Sequence, residues 1–124
     1  MKIQFLGTAA AEGVPAIFCD CESCQRSRER GGRNIRTRSQ ALIDDKILID
    51  FPADTYMHFL KYQLPLSKIK TCIVTHSHSD HLYPAEIEMR KEGFAQGKPR
   101  RRNITGCVCG GKGRKEAALL SRHR

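Results

Sequence analysis

The segment TCIVTHSHSDHL at residues 71–82 limits the fold more than any other part of the chain. Five apolar or β-branched residues run directly into three histidines and one aspartate, namely His76, His78, Asp80 and His81. The apolar run is typical of a buried strand. In open α/β sheets, ligand-binding residues gather outside the carboxyl ends of such strands. The segment therefore predicts a sheet with a ligand site at the end of this strand.

The spacing of these four residues favours a metal site. Residues two apart in extended backbone point to the same side, so His76 and His78 can bind one ion together. Asp80 and His81 follow where the chain turns towards a helix, and they can face a second ion. Imidazole suits zinc, iron or manganese, and a carboxylate adds charge neutralisation. A single histidine or an N-cap at Asp80 has a simpler explanation, but capping does not explain all four residues together.

The remaining sequence alternates between strand and helix patterns. The predicted strands are 2–7, 39–45, 46–51, 66–75 and 103–110, and the predicted helices are 22–30, 53–63, 81–93 and the start of another at 113–124. In the helix at 53–63, three-and-four spacing places Tyr56, Phe59, Leu60 and Gln63 on the apolar face, and His58 is predicted to lie at the surface. We expect a mixed α/β (α+β layered) architecture with helices on one face of a sheet.

Length and composition indicate one cytoplasmic domain. The chain has 124 residues, of which 40% are hydrophobic and 28% charged. No apolar run approaches the roughly 20 residues that cross a bilayer, so no membrane association is expected. The N-terminus reads as a strand and a small-residue loop rather than a signal peptide, because Glu12 soon interrupts the apolar stretch.

The net charge of +9 is concentrated in two parts of the chain. One cluster consists of Arg26, Arg28, Arg30, Arg33, Arg36 and Arg38, and the other runs from Lys98 to the C-terminus. Such clusters attract phosphates or nucleic acid. The alternative is a solvated basic face.

Three of the six cysteines lie together in FCDCESC, at Cys19, Cys21 and Cys24. In a chain without an export signal, this spacing suggests a metal site before a disulfide. The alternative is a reduced loop without metal, because three ligands leave a tetrahedral zinc site open. Cys107 and Cys109 could complete the site.

At this point the sequence resembles the metallo-β-lactamase superfamily, hydrolases built as an αββα sandwich. VTHSHSDHL resembles its His-x-His-x-Asp-His loop, and KILIDF resembles the strand whose terminal Asp supports that loop. KIQFLGTAAAEGVPA and FCDCESC are similar to the phosphodiesterase branch, in particular to the cyclic ribose-phosphate phosphodiesterase of phosphonate breakdown. The resemblance is clear over 1–95, whereas 96–124 is an atypical basic tail, so 1–124 is expected to be a single partial domain.

The resemblance implies a role for each matching residue. His76 and His78 would bind one catalytic metal, and Asp80, the candidate catalytic residue, would bind the second with His81. Asp50 would orient a ligand histidine. The set Cys19, Cys21 and Cys24 would hold one structural zinc. The two catalytic ions would be zinc, with manganese or iron as alternatives.

The implied function is a phosphodiesterase that uses a hydroxide held between two metals, acting on a small phosphodiester or a nucleic acid. The family also uses a third His, a bridging Asp and a last His, yet no Asp follows Asp80 and only His123 follows His81. We therefore expect the N-terminal half of such an enzyme, truncated and inactive alone. A homodimer that completes the site stays open, as does a non-catalytic zinc module that binds nucleic acid.

Overall fold

The structure, a computed structural model, describes residues 1–90. Its strands are β1 (Ile3–Gly7), β2 (Gln40–Ile43), β3 (Ile47–Ile49) and β4 (Thr71–Ile73), and its α-helices are α1 (Glu22–Arg30), α2 (Thr55–Tyr62) and α3 (Pro84–Ile87). Short 3-10 turns occupy Gly32–Asn34 and Glu88–Arg90. The predicted strand at 103–110 and the predicted helix at 113–124 lie outside the described residues.

The four strands form one sheet in the order β1-β2-β3-β4. The hairpin of β2 and β3 is antiparallel and turns through Asp44 and Asp45, both with positive φ, as Asp tolerates in tight turns. The β3–β4 pair is parallel, and α2 lies in the connection between the two strands. The mixed α/β architecture predicted from the sequence is confirmed.

The predicted boundaries differ from the structure at two places near the histidines. The strand expected over 66–75 is only Thr71–Ile73, because the chain after Pro65 forms a turn in which Lys68 N–H donates to the Pro65 carbonyl. The helix expected from residue 81 begins at Pro84, where the fixed φ of proline suits the first helical turn. Both differences lengthen the irregular segment that carries the histidines.

The core lies on one face of the sheet. Leu42, Leu48 and Cys72 are in register across three strands and are all buried. The other buried apolar residues are Leu6, Leu64, Ile69 and Val74. This aliphatic layer holds the carboxyl ends of β3 and β4 together.

Replacing Leu48 by Ala is expected to lower the free energy of unfolding by about 2–5 kcal/mol, because the side chain is buried on a central strand and leaves a cavity. Leu60→Ala in α2 is the control, because Leu60 is 58% exposed. This substitution should lower the free energy of unfolding by well under half as much as Leu48→Ala. Urea denaturation of both variants checks this, and equal losses would contradict the placement of the core.

The predicted apolar face of α2 is wrong. Tyr56 and Leu60 are exposed, whereas Thr55 and His58 are the buried residues of the helix. The reason is that the sheet presents a buried polar side chain, Gln40, to this helix, and a polar donor or acceptor there must be hydrogen-bonded. His58 Nδ1 lies 2.6 Å from Gln40 Oε1, so His58 is a core residue and not the surface residue expected.

The stability of the protein should fall as the pH drops below about 6.5, in part through His58. Burial lowers the pKa of His58 from 6.5, while Asp54 raises it and Lys61 lowers it by smaller amounts. The unfolded chain therefore takes up a proton near pH 6.5 that the folded chain resists, at up to about 1.4 kcal/mol per pH unit. Urea denaturation between pH 5 and 8 gives the free energy of unfolding at each pH. This free energy should change less steeply with pH in His58→Gln than in the wild type, and identical pH dependences would contradict the assignment.

Candidate metal centre

The carboxyl ends of β3 and β4 meet at one edge of the sheet because the two strands are parallel and paired from Ile47 with Thr71 to Ile49 with Ile73. Asp50 directly follows β3. The histidine loop, residues 76–81, begins three residues after β4. Asp50 and the start of the histidine loop, which are 26 residues apart in the sequence, thus meet at one edge of the sheet.

Asp50 is 3% exposed and has a left-handed backbone conformation, with φ of 61°. Its Oδ1 accepts hydrogen bonds from the Thr75 backbone N–H at 2.7 Å and from the Thr75 hydroxyl at 2.9 Å. Its Oδ2 lies 2.7 Å from His81 Nδ1. One carboxylate therefore connects both ends of the histidine loop to the sheet.

The chain after the loop returns to β3. The Phe51 N–H donates to the His81 carbonyl at 2.7 Å, and the Tyr83 N–H donates to the Phe51 carbonyl at 2.7 Å. Phe51 and Leu82 form a parallel bridge that extends the β3 line past Asp50. The C-terminal end of the loop is thus held by backbone hydrogen bonds to Phe51 as well as by the Asp50 side chain.

The loop brings its aromatic rings close together. The ring centroids of His76 and His81 are 3.9 Å apart, and those of His76 and His78 are 4.7 Å apart. Thr75 donates its hydroxyl proton to Asp50 and so can accept from His76 Nδ1, which is 3.1 Å away. In that tautomer, inferred from the hydrogen bonds, His76 keeps the lone pair on Nε2 for a ligand.

The donor set fits a cation. His81 Nδ1 faces Asp50, which fixes its proton there, and His81 Nε2 lies 3.3 Å from Asp80 Oδ2. A lone pair on Nε2 beside a carboxylate oxygen is repulsive unless a proton or a metal ion lies between them. A histidine whose other nitrogen binds a carboxylate is the usual arrangement of a metal ligand.

The proposed ligand roles of His76, His78, Asp80 and His81 stay predictions. The structure brings these residues to one loop, with Asp50 against His81, but their ligand atoms do not form one compact set. The prediction divides them between two ions, so one compact set is not required.

Sequence reasoning missed Thr75, which supplies two of the hydrogen bonds to Asp50. It also missed Gln40, whose amide donates to the Asp50 carbonyl at 3.0 Å. The only available signal for Gln40 was a polar residue at an inward position of the alternating strand QALI.

The cysteine cluster forms a second candidate site. Among residues 1–90, Cys19, Cys21 and Cys24 are the group of metal-ligand side chains whose ligand atoms all lie within 4.8 Å of one another. Tetrahedral zinc bound to thiolates needs sulfur–sulfur distances of about 3.8 Å, which small side-chain rotations supply. The Arg28 guanidinium binds the Cys19 carbonyl at 3.1 Å and the Asp20 carboxylate at 2.7 Å, and so fixes the loop against α1.

The thiols of Cys19 and Cys21 differ in pKa. The backbone N–H of Cys24 and the thiols of Cys19 and Cys24 lower the pKa of Cys21 to about 7. The pKa of Cys19 is raised: the Cys21 backbone lowers it, but the thiols of Cys21 and Cys24 raise it by more. Cys21 at the start of α1 is therefore the readiest thiolate of the cluster, and thiolate is the form that binds metal.

Three solved structures are similar to this chain. The first is a diphosphatase from the PhnP family, 31% identical, with a TM-score of 0.56 over 71% of this chain and 34% of that chain. The second is zinc-bound PqqB from Methylobacterium extorquens, 24% identical, with a TM-score of 0.56 over 64% of this chain and 33% of that one. The third is the short form of human tRNase Z, 26% identical, with a TM-score of 0.45 over 66% and 26%.

No protein-family model and no curated protein matches the sequence. This chain spans about a third of the length of the solved structures it matches. The parallel strand ends, the histidine loop and Asp50 lie together in the part of the fold that the structure describes. The resemblance to the metallo-β-lactamase superfamily that the sequence motifs predicted is confirmed over the part of the chain that matches. Among residues 1–90, no helix is long and apolar enough to cross a membrane.

Proposed function

We propose that this chain is part of a metal-dependent hydrolase that cleaves a phosphodiester or a related phosphoryl bond. The observation that carries the proposal is the contact of His81 with two carboxylates, Asp50 at Nδ1 and Asp80 at Nε2. The PhnP-family similarity supports it, because that structure is of a diphosphatase and the match covers 71% of this chain. The net charge of +9 suits an anionic substrate.

Asp50 and the histidines and aspartate of the loop each have a role in this proposal. Asp50 holds the Nδ1 proton of His81 and leaves Nε2 for a metal ion, and His76 and His78 offer their ring nitrogens to a neighbouring ion. Asp80 adds a negative charge that offsets the charge of the ions. A bound pair of divalent ions supplies Lewis-acid activation of water and of the phosphoryl group.

The test is hydrolysis of bis(p-nitrophenyl) phosphate, with zinc or manganese, by this chain extended past residue 124 with a segment that supplies the third His, the bridging Asp and the last His. A diphosphate ester is the second substrate, and p-nitrophenyl acetate is the comparator without phosphorus. We expect metal-dependent turnover of a phosphoryl substrate that His76→Ala abolishes. Turnover that survives His76→Ala, or a preference for the acetate ester, would contradict the proposal.

A non-catalytic zinc module that binds nucleic acid is the second candidate. The observation in its favour is that α1 buries none of its residues and carries Arg26, Arg28 and Arg30. Against it, Arg26, Arg28 and Arg38 are each paired with a carboxylate. Fluorescence anisotropy with a short RNA separates the two, since this candidate requires binding that weakens steeply with salt and proceeds without cleavage.

A further inference from the structure

We propose that Gln40 is a positioning residue that fixes Asp50 and, through it, the histidine loop. This inference rests on the proposed function, since it assigns Gln40 a part in metal binding. Gln40 begins β2, is 1% exposed and does not touch the loop itself. Its amide nitrogen donates to the Asp50 carbonyl and to the Thr55 hydroxyl oxygen, both at 3.0 Å.

The Asp50 backbone needs such a partner. Its left-handed conformation turns the chain between β3 and the Phe51 bridge; Asp adopts this conformation more readily than most non-glycine residues, and contacts on both sides hold it here. The Asp50 N–H donates to the Ile73 carbonyl at 2.8 Å, and Gln40 holds the carbonyl of Asp50. The backbone of Asp50 is thereby bound on both sides, and its carboxylate has one direction, towards Thr75 and His81.

The orientation of the Gln40 amide is fixed by His58, which contacts the amide oxygen while Asp50 contacts the amide nitrogen. Gln40 Oε1 can only accept a hydrogen bond, so His58 Nδ1, 2.6 Å away, carries the proton. In this tautomer His58 Nε2 accepts from the Thr37 hydroxyl at 2.7 Å, in preference to the Leu6 carbonyl, which lies 3.4 Å from the same hydroxyl. A flipped amide would set Gln40 Oε1 against the Asp50 carbonyl and its NH₂ against the His58 N–H. The buried histidine therefore directs the Gln40 NH₂ group towards Asp50.

Thr55 completes the network from α2. Its hydroxyl accepts from Gln40 and donates to the Pro52 carbonyl at 2.6 Å, two residues after Asp50. Within residues 1–90 no buried side-chain nitrogen or oxygen lacks a partner. Networks in which every member is satisfied fix one arrangement, and an apolar residue at position 40 would leave the Asp50 carbonyl with only the weak Cys72 thiol donor at 3.9 Å.

The experiment uses the full chain labelled with ¹⁵N at its histidines. Gln40→Met removes the amide at similar length, and Gln40→Leu is the second variant in case the first does not fold. Leu64→Ala is the control, because Leu64 is buried in the same core and makes no hydrogen bond in the network through its side chain. Urea denaturation ranks the three variants by stability.

The first measurement is the tautomer of His81 in the zinc-saturated chain, read from the ¹⁵N shifts of its ring. We expect the Nδ1–H tautomer in the wild type and in Leu64→Ala, and a mixture of tautomers in the Gln40 variants. The second is a zinc titration followed on the resonances of His76 and His81. We expect binding at least about tenfold weaker in the Gln40 variants and within about twofold of wild type in Leu64→Ala.

An unchanged His81 tautomer or an unchanged zinc affinity in a folded Gln40 variant overturns the inference. A loss of the same size in Leu64→Ala also overturns it, because the effect would then follow stability alone. Failure of the proposed function looks different: the wild-type resonances of His76 and His81 would not respond to zinc, whatever the tautomer of His81.

Discussion

In the chain extended past residue 124, Asp80→Asn is expected to reduce phosphodiester hydrolysis by at least about 100-fold and to lower metal retention at the histidine loop. Outer partners of metal ligands cost about 10–100-fold when removed, so the loss of a direct carboxylate ligand should cost at least that much. The substitution keeps the size of the side chain and removes its negative charge. It thereby also removes the anion that lies 3.3 Å from His81 Nε2.

The control is Asp45→Asn in the β2–β3 turn. Asp45 has a positive φ that Asn also tolerates, and its ion pair with Lys2 at 3.7 Å is exposed and so contributes little. Both variants lose one negative charge, but only Asp80→Asn should lose activity. The kcat/KM of the three proteins and their metal content after dialysis provide the comparison. An Asp80→Asn variant within twofold of wild type would remove this residue from the site.

Cys24→Ser is expected to release the structural zinc and to unfold α1. This helix has nine residues and buries none of them, and isolated helices shorter than about 12 residues are marginal in water. The local hydrogen bonds of Arg28 and Gln25 to the cysteine loop are exposed, so a metal bound to Cys19, Cys21 and Cys24 would be the main constraint on the helix. Without it, trypsin should cleave at the arginines of α1 at least about tenfold faster.

Cys72→Ala is the matched control for thiol count. Burial raises the pKa of the Cys72 thiol to about 12, so it is inert and far from thiolate chemistry. This variant should keep its zinc and the wild-type cleavage rate at α1, although it loses some stability in the core. Equal cleavage of Cys24→Ser and wild type would show that the cysteines do not hold the helix.

The position of the histidine loop was predictable because its signal is local. TCIVT reads as a buried strand, and His76, His78, Asp80 and His81 follow it within six positions. Asp50 was predictable for the same reason, as the last residue of an apolar strand. The family resemblance carried by these motifs is confirmed by the solved structures.

The hydrogen bonds that hold Asp50 in place were not predictable from the sequence, because they join segments that are distant along the chain. Gln40 and Asp50 meet only when the hairpin closes, and His58 and Gln40 meet only when α2 packs on the sheet. Helical periodicity chose Tyr56 and Leu60 as the inward face, since apolar residues usually mark it. One buried amide reversed that choice, because an unsatisfied polar group in the core costs more than an exposed aromatic ring.

The most direct test of the central claim is the zinc content of the full chain after exhaustive dialysis, measured for the wild type, Cys24→Ser and the double variant His76→Ala/His78→Ala. If the histidine loop binds metal, the wild type should hold about two or three ions, and each variant should lose a different part of them. A wild type with about one ion, lost entirely in Cys24→Ser and kept in full by the double variant, would contradict a metal centre at the histidine loop.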